Sequence, residues 1–372
     1  MDMPVNMKDK IRFLDLSLET DEMVKTLQAI ENVLAHGQLI MGPEHDKLEE
    51  LISTYCKRKY CVAVGSGTDA LYLSFKALGI KHGDEVITTP LSWVASTHSF
   101  VMHGATPIFA DIDETLNIDP ESVEHLISDK TTAILAVDYA GHPANYKRLK
   151  EIAQKYNIAL IEDGSQAFGA SIDEQPVGSF GLISCISMNP MKPLGAIGEA
   201  GVILTDDIKL YEKLIAARYS GMVDKQTCYE PSINCRMDTI QAAVLLERLP
   251  KYNFVMAKRQ QIAQKYKEHL AQYIKFPATR QGVSHAYYLF LFHTNKRDEL
   301  FEFLNKNNIE ARIRDNILIP SQPCYRLINK NTFDKAVSAA DTLLAIPAHE
   351  KMSDNDVMYV IEKIKEFFNG EI

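Results

Sequence analysis

From Tyr60 to Asp206, short apolar or β-branched runs alternate with stretches of helical period. The runs are YCVAV, DEVITT, TPIFAD, TAILAV, IALIED, LISCISM and GVILT. This alternation predicts an α/β fold, a mainly parallel sheet covered by helices on both faces. Between the first two runs, residues 68–79 set Ala70, Leu71, Leu73 and Phe75 at packing positions and stop at Gly79, which predicts a helix with a glycine end. Residues 144–157 predict a second helix, with Leu149, Ile152 and Ala153 inward and Lys147, Lys150, Glu151 and Lys155 in water. After Pro250 the pattern changes to a long helix over about 252–273, two short apolar strands around YYLFLF, and a helix at 353–368. The expected division is a large α/β domain over 1–249, opened by a helical arm, and a smaller α+β domain over 250–372. No internal repeat or low-complexity stretch interrupts it.

Composition narrows the classes. The 372 residues contain no Pro/Gly/Ser-rich or charged linker, so a large domain with a smaller one appended fits best. Apolar residues make up 46% and charged residues 24%, the balance of a globular chain with a sizeable core. A formal net charge of −9 argues against a nucleic-acid binder that neutralises phosphates. The start, MDMPVNMKDKIRF, has no apolar core of signal-peptide length, and no stretch reaches the ~18 apolar residues of a membrane span. A cytoplasmic protein with no membrane partner is expected. Cys56, Cys61, Cys185, Cys228, Cys235 and Cys324 include no CxxC pair, so neither a disulfide framework nor a zinc site has its spacing, and mostly buried thiols are expected.

Three stretches carry candidate chemistry. In Val62–Leu71 a strand leads through Gly65-Ser66-Gly67-Thr68 into a helix. Glycines admit an anion, the helix start offers free N–H groups and Thr68 a hydroxyl, which together make a phosphate cradle. A plain helix cap at Ser66 or Thr68 explains the same residues. In Ile158–Ala167 a strand delivers Asp163 at its C-terminal end, where parallel sheets bind ligands; the carboxylate suits a protonated ring nitrogen, and equally a helix cap. In Ser187–Gly201, Lys192 lies in a Gly-rich, almost uncharged loop between two strands. Desolvation makes a lysine amine nucleophilic toward an aldehyde cofactor, although a surface lysine is the commoner case. Together the three are the parts that pyridoxal 5′-phosphate (PLP) requires.

Their order and spacing resemble the DegT/DnrJ/EryC1/StrS family of PLP-dependent sugar aminotransferases, of the fold-type I (aspartate-aminotransferase-like) group. The resemblance takes in Gly42-Pro43 with Leu48-Glu49, SGTDAL, Thr88-Thr89-Pro90 with Trp93, EDGSQAFGA and Lys192 with GEAG. It continues through Asn234-Cys235-Arg236-Met237 with Gln241-Ala242-Ala243, and His285 with Tyr287-Tyr288. A lysine at 192 separates the chain from the family's dehydratase branch, which has histidine there. The resemblance implies a seven-stranded-type sheet and the following roles. Gly67, Thr68 and Ser187 hold the cofactor phosphate, Trp93 stacks on the ring, Asp163 pairs with its nitrogen and Gln166 lies by its hydroxyl. Lys192 bonds the cofactor covalently and moves the proton. Asn234 reaches the phosphate of a neighbouring subunit, so the site is shared in a homodimer. For Trp93, the chain's single tryptophan, a place in the core is the commoner fate.

The implied reaction is a two-stage exchange in which an amino acid, L-glutamate foremost, gives its nitrogen to the cofactor and a keto-sugar takes it. By the family's habit the acceptor is a nucleotide-linked keto-deoxysugar made for lipopolysaccharide, capsule or a secondary metabolite. Three departures stand out: Met188-Asn189-Pro190-Met191 where relatives have an aromatic after the serine, which suggests an unusual pocket; Cys235 in place of a common tyrosine; and Glu310-Ala311-Arg312-Ile313-Arg314-Asp315 where many relatives have a histidine followed by an aromatic. For Arg312 and Arg314 a solvated helix-to-strand connection is the favoured reading; as candidate substrate residues, with His285, they would grip the diphosphate of a nucleotide-sugar or a carboxylate. Gripping a carboxylate, they would suit a sugar acid such as an 8-keto-Kdo-like octulosonate. A non-catalytic PLP-binding regulator is a further alternative, disfavoured by the complete residue set. An NAD-dependent enzyme fails on spacing, because GSGTDA is not GxGxxG.

Overall fold

All seven apolar runs pair into one sheet in the computed structural model, which describes residues 10–325 and 332–370. The first nine residues, read above for a signal sequence, lie outside the described residues. The strands are β1 (Tyr60–Val64), β2 (Glu85–Thr88), β3 (Thr106–Phe109), β4 (Thr131–Val137) and β5 (Ala159–Asp163), then a small hairpin of β6 (Ser171–Ile172) and β7 (Gln175–Pro176), then β8 (Ile183–Ser187) and β9 (Gly201–Thr205). The sheet order is β1-β9-β8-β5-β4-β2-β3. From β8 to β3 every pairing is parallel, while β9 runs antiparallel to both of its neighbours. β9 reverses because residues 188–200 turn straight back from β8 instead of crossing over through a helix. That loop therefore stays at the C-terminal edge of the sheet, and it carries Lys192.

The helix expected at 68–79 spans Gly67–Ala77, with Gly79 just beyond at φ +76°. The one expected at 144–157 spans Tyr146–Tyr156, with Leu149, Ile152 and Ala153 buried, and is closed by Asn157 in the left-handed region. The long helix is Tyr252–Leu270, and the last is Asp354–Asn369, opened by a Ser353/Asp356 capping box.

The C-terminal part departs from expectation in its strands. β10 (Val283–Ser284) pairs with β6, far from the apolar run. β11 (Phe290–His293) finds its antiparallel partner about fifty residues later in β12 (Leu343–Ile346). Between β10 and β11 the chain is irregular, with Tyr287 at φ +47°. The expected boundary at 249/250 falls in the single turn Leu249–Lys251 that joins two helices. The C-terminal core also takes in Ile11, whose backbone bonds to Asn308 and Glu310, so the chain's beginning packs with its end. Four cysteines are buried, Cys228 and Cys324 are exposed, and all six are free thiols. Among the described residues, no helix is long and apolar enough to cross a membrane.

Candidate active site

The strand ends converge on a cleft of about 1360 Å³, counted out to its open mouth. At the end of β1, the Ser66 hydroxyl accepts from the Asp69 N–H and so caps the following helix. Capping thus falls to Ser66, and Thr68 lines the cleft. Gly67 is needed for close approach: a Cβ there would lie 2.6 Å from the Cβ of Ser187 at the end of β8. The helix start, Gly67, Thr68 and Ser187 make one anion cradle.

Asp163 ends β5 and is 3% exposed. Its carboxylate accepts from the Ser96 hydroxyl at 2.7 Å and from the Ser165 N–H at 3.2 Å. No helix follows it, so the capping alternative falls. Two more buried acids stand behind it. Glu162 accepts from three backbone N–H groups and the Ser184 hydroxyl, yet burial still raises its pKa. Asp138 is pushed well above the usual carboxylate range by burial and by Glu162. Of these three acids, Asp163 is the one that borders the cleft.

Lys192 is half-buried in the β8–β9 loop, its Nζ 4.2 Å from the centre of the Tyr288 ring. Asn189 pairs with Glu199 across the loop at 2.7 Å, Gln241 accepts from the Ile197 N–H, and Arg248 donates to the carbonyls of Gly195 and Ala196. Among the described residues no carboxylate pairs with Nζ, and the half-buried side chain borders the cleft.

The turn Tyr139–Gly141 after β4 fixes much of the rest. Ala140, at φ +57°, donates its N–H to Gln166 Oε1 and so presents Gln166 to the cleft. Gly141 lets residues 286–289 pass close by: a Cβ there would meet the backbone nitrogens of Tyr287 and Tyr288 at 2.8 and 2.9 Å. The Tyr139 hydroxyl donates to Asp315 at 2.7 Å.

Of the residues singled out from sequence, Gly67, Thr68, Trp93, Asp163, Gln166, Ser187, Lys192 and Arg314 all line this cleft. Trp93 is 63% exposed, which removes the core alternative. Met188 packs in the core, and the methionine that shapes the cleft is Met191. Cys235 is buried behind the Gly65 turn, its carbonyl accepting from the Gly65 N–H at 2.6 Å. Asn234 lies outside its own chain's cleft, bridged to Tyr219 and accepting from Arg236. Arg312 is paired with Glu310 at 3.0 Å and covers the Phe13 ring. His285 also lies elsewhere: it stacks on Tyr287 at 4.0 Å and meets His142 edge-on, and burial holds it neutral with a pKa well below 6.5. In this chain it packs against Tyr287 and His142. Sequence reasoning missed Ser96, on the short helix Ala95–Val101 after β2, and gave Tyr288 no role.

These residues fit PLP. The cradle formed by Gly67 is one that a Cβ would fill, and a buried carboxylate, a lysine and an exposed flat ring border a single cleft. The family model described as "DegT/DnrJ/EryC1/StrS aminotransferase family" matches residues 20–365. The dTDP-3-amino-3,6-dideoxy-alpha-D-galactopyranose transaminase of Aneurinibacillus thermoaerophilus is 33% identical over 360 residues, covering 96% of this chain and 99% of that one. The UDP-2-acetamido-2-deoxy-3-oxo-D-glucuronate aminotransferase of Pseudomonas aeruginosa is 32% identical over 342 residues, covering 91% and 95%. The crystal structure of NtdA from Bacillus subtilis with bound cofactor PMP superposes with a TM-score of 0.92 at 29% identity, covering 97% of this chain and 86% of that one. The chain therefore belongs to the DegT/DnrJ/EryC1/StrS aminotransferase family and is a PLP-dependent sugar aminotransferase.

Proposed function

We propose that the enzyme moves an amino group from L-glutamate to the ketone of a nucleotide-linked sugar, in a site completed by a second copy of the chain. The observation that carries the reading is the single cleft bordered by Lys192, Asp163 and the Gly67–Thr68–Ser187 cradle. When bound there, PLP takes up the electron pair left as the donor's Cα–H bond breaks. The residues of the chain do the rest. Gly67, Thr68 and Ser187 would hold the phosphate, and the exposed Trp93 would pack against the ring. Asp163, kept in place by Ser96, would hold a proton on the ring nitrogen. The Lys192 amine would hold the cofactor and, once free, would take the proton from the donor's Cα and return it to the substrate.

The nucleotide-linked acceptor is supported by the substrates named for the two relatives above. Glutamate is supported by a further relative, the 3-oxo-glucose-6-phosphate:glutamate aminotransferase of Bacillus subtilis, 31% identical over 322 residues, which cover 84% of this chain and 71% of that one. The dimer is supported by Met23, Val24, Leu27 and Leu34, all exposed on the helix Thr20–His36, and by Asn234 standing beside exposed Ile233 and away from its own cleft. Incubation with ¹⁵N-glutamate and a panel of keto-sugar nucleotides tests the reading by mass spectrometry. A labelled amino-sugar nucleotide is expected; 2-oxoglutarate release with no labelled sugar from any acceptor would contradict it.

A further inference from the structure

Arg314 is half-buried in the wall of the cleft and also borders a side chamber that it shares with Met191 and Tyr288. Lys192 lies over the ring of that same Tyr288, and Lys192, Tyr288 and Arg314 all border the one cleft. Three arginines line the chamber, and two are committed. Arg259 pairs with Glu350 at 2.9 Å and donates to the carbonyls of Tyr287 and Ala348. Arg312 pairs with Glu310 and lies over Phe13. Arg314 has no ion pair or hydrogen bond among the described residues. Its neighbour Asp315 does not pair with it: that carboxylate accepts from the Tyr139 hydroxyl, and the backbone there is held at φ +51°. The left-handed conformation is costly for a residue with a Cβ, and it persists where surrounding contacts fix it. A guanidinium half-removed from water without a counter-charge is poorly solvated, and a planar carboxylate fits its fork with two hydrogen bonds.

We propose that Arg314 anchors a substrate carboxylate held within a few bonds of the carbon that gains or loses nitrogen. The proposal rests on the transaminase reading, because that reading makes this cleft the place where both substrates bind in turn. Two sources have the required chemistry: the carboxylate of the amino donor, and an acid group on the ring of the acceptor sugar.

The test uses PLP-loaded full-length enzyme, Arg314→Gln and Arg314→Lys, with the two half-reactions followed separately by cofactor absorbance. The first takes L-glutamate; the second takes a nucleotide-linked keto-uronate beside the matching keto-hexose without the acid group. Arg314→Gln is expected to keep the cofactor band and melting temperature and to raise KM roughly 10- to 100-fold in at least one carboxylate arm. Arg314→Lys should recover part of the loss. A rise with glutamate assigns the donor, and a rise with the uronate but not the hexose assigns the acceptor. KM values within twofold in every arm, or equal losses with uronate and hexose and none with glutamate, would overturn the proposal. In either case, bleaching of the wild-type band by glutamate shows whether the transaminase reading itself stands. If Arg314→Gln does not fold, Arg314→Lys alone decides, through the uronate-to-hexose ratio and the glutamate KM.

Discussion

On one side of the cleft, Gly67, Asp163 and Ser187 stand at the ends of β1, β5 and β8; on the other, Tyr288, Arg314 and Asp315 come from irregular chain. The first set is positioned by ladder hydrogen bonds and by contacts as close as the one a Cβ on Gly67 would have with Ser187. The second depends on residues in left-handed conformations: Ala140 in the turn after β4, and Tyr287 and Asp315, whose segments are tied to that turn by the Ala286 and Leu289 N–H groups and by the Tyr139 hydroxyl. A sheet edge holds atoms rigidly and tolerates little change, which suits a cofactor common to a family. A loop held by a few side-chain bonds can be rebuilt without disturbing the core, which suits a substrate that varies.

Substitutions on the sheet side should therefore cost far more than those on the loop side. Lys192→Ala is expected to abolish steady-state turnover, measured as 2-oxoglutarate release; normal turnover would break the assignment of the lysine. Asp163→Asn is expected to lower kcat by about 100-fold or more while the protein still binds PLP, because a preorganised charge opposite the ring nitrogen is lost. Ser96→Ala removes one hydrogen bond from that carboxylate, and a kcat loss of about 3- to 10-fold is expected. A loss as large as that of Asp163→Asn would mean that Ser96 does more than orient it.

The smallest effect at neutral pH concerns the scaffold of the loop side. His142 is buried between Asn117 and Arg280, and burial, reinforced by the Arg280 charge, brings its pKa down to about 4. Because the folded value lies below the unfolded value of ~6.5, the native state keeps His142 neutral while the unfolded chain takes up a proton first. Nothing is lost above pH 6.5, and stability falls as the pH drops from 6.5 toward 4, by up to about 3 kcal/mol. Denaturant melts of wild type and His142→Gln across that range should converge toward acid; parallel curves would remove His142 from the account.

What could be read in the sequence follows the same division. Seven apolar runs became seven strands, and Asp163 and Lys192 stood out because a strand–turn pattern tells where a side chain will be delivered. The reversal of β9 was hidden, because an apolar run has no direction. Trp93 was ambiguous, and the place of His285 hidden, for a related reason: type and spacing do not say whether an aromatic ring faces solvent or a neighbour. The pairing of β11 with β12 and of Ile11 with Ile309 joins segments far apart in the chain, where periodicity has no reach. Tyr288 and Ser96 acquire their positions from the Gly141 turn and from β5, and no local pattern marks either residue.

The most direct test of the central claim is the visible absorbance of the purified protein with PLP, before and after L-glutamate is added. A band from lysine-bound cofactor that is absent in Lys192→Ala, and that glutamate bleaches toward the pyridoxamine form, is the expected result. If wild type and Lys192→Ala behave alike, with no such band in either, Lys192 does not carry the cofactor and the account of this site is wrong.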